Sequence, residues 1–88
     1  EIEVIMAEVE MYGAMWCGDC RRAKSLLDTL KVDYDNFDVE ESKELADKAQ
    51  AISGRTNIPV IKFADGKHLV EPSDAVLYAE LKLRGLAE

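Results

Sequence analysis

Apolar and acidic residues alternate in Glu8-Val9-Glu10-Met11-Tyr12, the period-2 pattern of a strand with one buried face. Gly13-Ala14 opens a turn, and from Ala23 the period changes. Ala23, Leu26, Leu27 and Leu30 recur at i, i+3, i+4 and i+7, which predicts an amphipathic helix ending near Leu30. Tyr34–Val39 reads as a second short strand, with Phe37 and Val39 on one face. Ser42 then offers an N-cap to a helix whose apolar stripe is Leu45, Ala49 and Ile52; Glu44 and Lys48 form an i, i+4 pair, and Gly54 is the stop. Val60–Phe63 is a third strand, Asp65-Gly66 a hairpin signal, and Lys67–Val70 the returning strand. Ser73 caps a last helix with Val76, Leu77, Leu81 and Leu83 turned inward and Gly85 near its end. Ahead of these elements Ile2, Val4 and Met6 alternate and then slip register before Val9. Residues 1–7 are read as an extension, with Met6 a natural start.

The resulting order is β-α-β-α-β-β-α. The first strand, helix and second strand make a parallel βαβ unit with a right-handed crossover, and the hairpin adds antiparallel strands. The fold class is therefore α/β: a four-stranded mixed sheet flanked by three helices, with residues 1–88 forming one domain.

Composition narrows the partners. At 88 residues the chain lies near the small end of what folds on a single core, and five glycines with two prolines leave no linker-like tract. The net charge is −7, from 18 acidic and 11 basic residues. Such a surface repels nucleic acid and anionic membranes, so neither is an expected partner. No apolar run approaches the roughly 20 residues of a membrane span, and the first ten residues lack the basic and apolar regions of an export signal. A small exported domain held by disulfides carries more cysteines than the two found here. A monomer in the cytoplasm is the expectation.

Those two cysteines stand in Trp16-Cys17-Gly18-Asp19-Cys20, between the first strand and the first helix. At i and i+3 they reach each other within one turn. The first lies where backbone N–H groups converge on a helix N-terminus, which favours a thiolate. Cys17 is the expected nucleophile, and Cys20, a turn deeper, the residue that resolves a mixed disulfide. Trp16 would pack beside the site, and Gly18 would let a partner backbone come close. Asp19 opposes a neighbouring thiolate, while Arg21 and Arg22 favour it. Zinc would need four ligands where only His68 joins the cysteines, and His68 reads as a solvent-facing strand residue. A staple across so short a loop stabilises little. An iron–sulfur cluster bridging two copies through Cys17 is the alternative function. Pro59 fits either a cis peptide that turns the Ile58 backbone toward the sulfurs or an ordinary trans proline starting a strand.

Trp16-Cys17-Gly18-Asp19-Cys20, the Tyr34–Val39 strand, Ile58-Pro59 and Phe63-Ala64-Asp65-Gly66 together resemble the thioredoxin superfamily over residues 8 to 86. Within it the chain is similar to small glutaredoxins, and most of all to mycoredoxins. The resemblance implies a thioredoxin fold, Pro59 in cis, and a disulfide oxidoreductase using Cys17 and Cys20. It further implies no bound cofactor and a low-molecular-weight thiol as co-substrate, with disulfide-containing proteins and a reductase or small thiol as partners. Trp16, Ile58 and Pro59 would line the thiol groove, and Ser73 and Asp74 would take the amino-acid end of the ligand. Three positions depart from the glutaredoxin pattern. Asn57-Ile58-Pro59 replaces Thr-Val-Pro, Glu71-Pro72 replaces Gly-Gly, and Ala14 replaces a basic residue. The thiol is thus glutathione or mycothiol.

Overall fold

The structure, a computed structural model, describes residues 8–88; the alternation at Ile2, Val4 and Met6 lies outside them. Four strands, β1 (Val9–Gly13), β2 (Tyr34–Asp38), β3 (Val60–Phe63) and β4 (His68–Val70), alternate with three helices, α1 (Gly18–Thr29), α2 (Lys43–Ser53) and α3 (Asp74–Leu83). The sheet order is β2-β1-β3-β4. Strand β1 pairs in parallel with β2 (Val9 with Tyr34, Gly13 with Asp38) and antiparallel with β3 (Val9 with Phe63), and β3 pairs antiparallel with β4.

Because β1 is central, both of its faces are covered, where its alternation had predicted one. Val9 and Met11 pack with Ile61 and Phe63 against Ala23 and Leu27 of α1 and Leu77 and Leu81 of α3. Tyr12 turns the other way and packs with Val60 against Ala49 and Ile52 of α2, beside Phe37 and Val39. Glu10, on the Tyr12 face, stays accessible enough to meet Lys62 at 3.7 Å. The alternation was real, but an aromatic ring with a polar tip can be buried as fully as an aliphatic one.

Local signals set the helix ends. The Ser42 hydroxyl accepts from the Leu45 N–H at 3.1 Å, the Ser73 hydroxyl from the Val76 N–H at 3.2 Å, and Gly54 closes α2 at φ 73°. Asp65-Gly66 sits in a three-residue hairpin loop: the Gly66 N–H donates to the Phe63 carbonyl at 2.9 Å, and Gly66 takes φ 91°. Two inward expectations on α3 fail, since Val76 is 52% exposed and Leu83 81% exposed. Leu83 lies about 200° around the helix from Leu81, so both cannot face the sheet. The Glu44–Lys48 pair is likewise replaced. Lys43 bonds Asp47 at 2.8 Å, and the Lys48 ammonium lies over the Tyr12 and Phe37 rings at 5.9 and 5.8 Å.

Candidate active site

Strand β1 delivers the chain to the site at its C-terminal end. An Ala14–Cys17 turn, closed by the Cys17 N–H on the Ala14 carbonyl at 3.2 Å, swings it into α1. Cys17 is the N-cap residue, with φ −83° and ψ 117°, and its carbonyl accepts the first helical bond from the Arg21 N–H at 3.0 Å. Its sulfur takes the place usually held by a serine or aspartate oxygen: the Cys20 N–H donates to it at 3.2 Å. Charge on that sulfur therefore meets a backbone donor and the positive end of a twelve-residue helix. Cys17 is half-buried and reachable, while Cys20 is 2% exposed.

Cys20 can sit so deep because Gly13 has no side chain. A Cβ there would stand 2.9 Å from the Cys20 sulfur and 3.0 Å from its Cβ. Burial pushes the Cys20 thiol from 9.0 up to about 12, with the Cys17 sulfur and the Asp19 carboxylate adding to the rise. The two sulfurs thus differ in access, the outer one open to a first attack and the inner one placed to resolve it.

Ile58-Pro59 is a cis peptide on the far side of Cys17, and the Ile58 carbonyl stands 4.0 Å from the Cys17 sulfur. Beside Ile58 opens a groove of about 100 Å³ rimmed by Gln50, Arg55, Thr56 and Asn57. Pro59 itself is buried.

The remaining expected site residues are placed differently. Trp16 is 66% exposed and donates its indole N–H to Glu40 at 2.8 Å, so it leans over the β2–α2 loop instead of packing into the site. Gly18 needs no special allowance, for a Cβ there would meet only an Arg21 nitrogen at 3.9 Å. The Ser73 hydroxyl caps α3. Asp74 is tied to Arg22 at 2.6 Å, and the same guanidinium reaches Asp19 at 3.4 Å and the Pro72 carbonyl at 3.3 Å. Arg22 thus joins the cysteine motif to the start of α3. The sequence marked Arg22 only as a cation near the sulfurs, because its partner Asp74 lies 52 residues away. Arg21 points elsewhere, to the Met15 carbonyl at 2.7 Å. His68 is half-buried on β4, and among the described residues no group of three or more His, Cys, Asp or Glu side chains could hold a metal ion.

A thioredoxin fold that carries Cys-x-x-Cys at the N-terminus of its first helix, with a cis-proline beside the outer sulfur, defines a thiol–disulfide oxidoreductase. The glutaredoxin family model matches residues 9–69, and the chain belongs to that family. A glutaredoxin of Mycobacterium tuberculosis is 34% identical over 79 residues, covering 89% of this chain and 94% of that protein. Mycoredoxin 1 of Corynebacterium glutamicum is 28% identical over 78 residues, covering 88% and 96%. Among solved structures, the glutaredoxin of Archaeoglobus fulgidus superposes with a TM-score of 0.73 at 30% identity, covering 92% of this chain and 86% of that one. Among the described residues no helix is long and apolar enough to cross a membrane.

Proposed function

We propose that this glutaredoxin reduces mixed disulfides between proteins and a small thiol, and protein disulfides as well, in the reducing cytoplasm. The observation that carries the reading is the inequality of the two sulfurs. Cys17 is reachable and capped by a backbone N–H, whereas Cys20 is buried and holds its proton.

Cys17 attacks the sulfur of the small thiol in a mixed disulfide. The S–S bond to the target breaks, the target leaves as a thiolate that picks up a proton, and the small thiol remains on Cys17. A second small-thiol molecule then displaces it, carrying off both small-thiol sulfurs as a disulfide and restoring Cys17. With a protein disulfide, Cys17 forms the mixed disulfide and Cys20 attacks Cys17 to release the reduced target. The small thiol extends from Cys17 past the Ile58 backbone and Pro59, with Trp16 at the outer rim where Glu40 holds it, and its end remote from the sulfur toward Ser73 and Asp74. Glutathione and mycothiol are the two candidate co-substrates, and the protein acts as a monomer. The mycoredoxin relative supports mycothiol. So does the engagement of Asp74 by Arg22, because an ammonium of glutathione would have to displace a guanidinium held at 2.6 Å.

Steady-state assays with glutathione and mycothiol, each with its own mixed-disulfide substrate, test the reading. Cys17→Ser is expected to abolish turnover of both substrate types. Cys20→Ser is expected to keep mixed-disulfide turnover and lose protein-disulfide reduction. Retained activity in Cys17→Ser would refute the assignment.

A further inference from the structure

Disulfide exchange uses two sulfurs, but a third stands beside them. Met15-Trp16-Cys17-Gly18-Asp19-Cys20 sets a thioether two residues before the first thiol. Met15 lies in the Ala14–Cys17 turn, and its carbonyl accepts from the Arg21 guanidinium at 2.7 Å, which fixes the backbone from which the side chain hangs. That side chain is 69% exposed, yet it also borders the small cavity that Cys20 lines. An open apolar side chain next to the nucleophile has no part in thiol–disulfide exchange. Methionine is unbranched, with three rotatable bonds and a polarizable sulfur, so from this turn the thioether can swing across the mouth of the cysteine pair.

The number and kind of these sulfurs decide which ion they suit. Zinc asks for four ligands, and among the described residues no third His, Cys, Asp or Glu joins the two cysteines. Soft thiolates and thioethers select Cu(I), which is satisfied by two or three of them. The charge fits as well. Two thiolates around one Cu(I) leave a single net negative charge, which meets the Cys20 N–H on the Cys17 sulfur at 3.2 Å and the N-terminus of α1. The carboxylate within the motif, Asp19, is drawn to Arg22 at 3.4 Å. An ion would enter past Cys17, which is reachable, and be sheltered by Cys20, which is buried.

We propose that Cys17, Cys20 and Met15 form a Cu(I) site, filled from complexes of Cu(I) with small thiols. Bonds from the ion to Cys17 and Cys20 form as its bonds to the carrier thiolates break. The two cysteines give up their protons, the released carrier thiolates take protons up, and the ion stays Cu(I) throughout. The Met15 thioether adds a neutral third ligand. Because the ion occupies nucleophile and resolver together, a loaded chain is silent in exchange until Cu(I) leaves. The site goes beyond disulfide exchange and does not depend on it.

Anaerobic titration of the reduced protein with Cu(I) held by the chromophoric chelator bathocuproine disulfonate reads the site. The protein is expected to withdraw one Cu(I) per chain, with a thiolate-to-copper charge-transfer band in the ultraviolet. Cys17→Ser and Cys20→Ser should each cost more than about 100-fold in affinity, above the 10–100-fold that losing a supporting contact costs a metal site. Met15→Leu keeps the bulk of an exposed side chain and removes its sulfur. It should weaken Cu(I) binding about tenfold, the low end of that range, and leave the rate of Cys17 attack on a disulfide unchanged. One equivalent of Cu(I) should abolish exchange by the unsubstituted protein, and excess chelator should restore it. Failure to compete with the chelator would overturn the proposal, as would one Cu(I) per two chains or exchange that survives full loading. Unchanged affinity in Cys20→Ser or in Met15→Leu would overturn it too, because the three sulfurs would then not act as one site.

Discussion

Gly13 does more for the site than either residue between the cysteines. It was legible in the sequence only as the opening of a turn, because nothing local records that a sulfur seven residues later will lie against its α-carbon. Gly13→Ala places a methyl 2.9 Å from the Cys20 sulfur. Overpacking of that kind destabilises a core by about 1–3 kcal/mol, and here the displaced atom is the resolving sulfur. Urea unfolding should show the loss, and disulfide formation between Cys17 and Cys20 should slow more than the attack by Cys17. Equal slowing of the two steps would mean that Gly13 supports the fold without aiming Cys20. Cys20 also makes the reduced protein sensitive to alkali. Its thiol is held protonated to about 12 when folded, against an ordinary value of 9.0. The folded state therefore binds this proton more tightly, and the stability it contributes is complete below about 9 and fades as pH rises toward about 12. Denaturation of reduced protein and of Cys20→Ala should diverge below that window and converge through it; parallel profiles would show that burial of this thiol carries no such linkage.

At the scale of elements, the helices whose ends carry a standard residue were read closely. Ser42 and Ser73 cap with their hydroxyls and Gly54 takes the left-handed stop, as expected of each. The end of α1 falls at Leu30, where the apolar stripe put it, although no glycine marks it. Lys31 takes φ 56°, the Lys31 N–H donates to the Asp28 carbonyl at 3.1 Å, and the Val32 N–H donates to the Leu27 carbonyl at 3.0 Å. That is the Schellman pattern, and it folds Val32 back onto Leu27 in the core. Helix α3 ends the same way at Gly85 and Leu86, with the Leu86 N–H on the Leu81 carbonyl at 2.8 Å. Leu86, beyond the helix, fills the apolar role assigned from sequence to Leu83. Periodicity registers how often apolar residues recur, but a chain reversal decides which of them returns to the sheet. At α3 a glycine holds the left-handed position, whereas at α1 a lysine does, at a cost of about 1–2 kcal/mol. Lys31→Gly should therefore stabilise the protein by about 1 kcal/mol after the added flexibility of the unfolded chain is set against the relief. Chemical denaturation of the variant measures this, and a loss of stability would show that the lysine side chain contributes more than its backbone conformation takes away.

Across the whole molecule the active site and the opposite end are held by different means. The cysteine motif is tied to α3 through one residue, Arg22, while the β3–β4 hairpin is tied to the far end of α3 by a network. Arg84 bonds Asp65 at 3.1 Å and Glu80 at 2.9 Å, Lys67 bonds Glu80 at 2.6 Å, and the Arg84 guanidinium lies 4.1 Å from the Phe63 ring centroid. Apart from Glu80–Arg84, a local i, i+4 pair, these contacts depend on where the hairpin lands and were not visible in the sequence, where the acidic excess read only as a solvated surface. Their effect on acid stability follows from two carboxylates. The Lys67 N–H and then the Arg84 guanidinium hold Asp65 below its ordinary 3.8, and Lys67 followed by Arg84 holds Glu80 below its ordinary 4.5. Groups with depressed folded values stabilise the protein above their ordinary values, and that contribution is lost as pH falls through the folded ones. Lys67→Gln removes the first partner of Glu80. Its melting temperature should lie below that of the unsubstituted protein near neutral pH, and the two should converge as pH falls below the ordinary 4.5 of Glu80 and through its lowered folded value. Added salt should narrow the neutral-pH gap, because the Lys67 end of the pair is more than half exposed and exposed charges are screened over about 10 Å at 0.1 M ionic strength. A gap independent of both pH and salt would assign the effect of Lys67 to packing of its aliphatic stem, leaving Arg84 to hold the hairpin against α3.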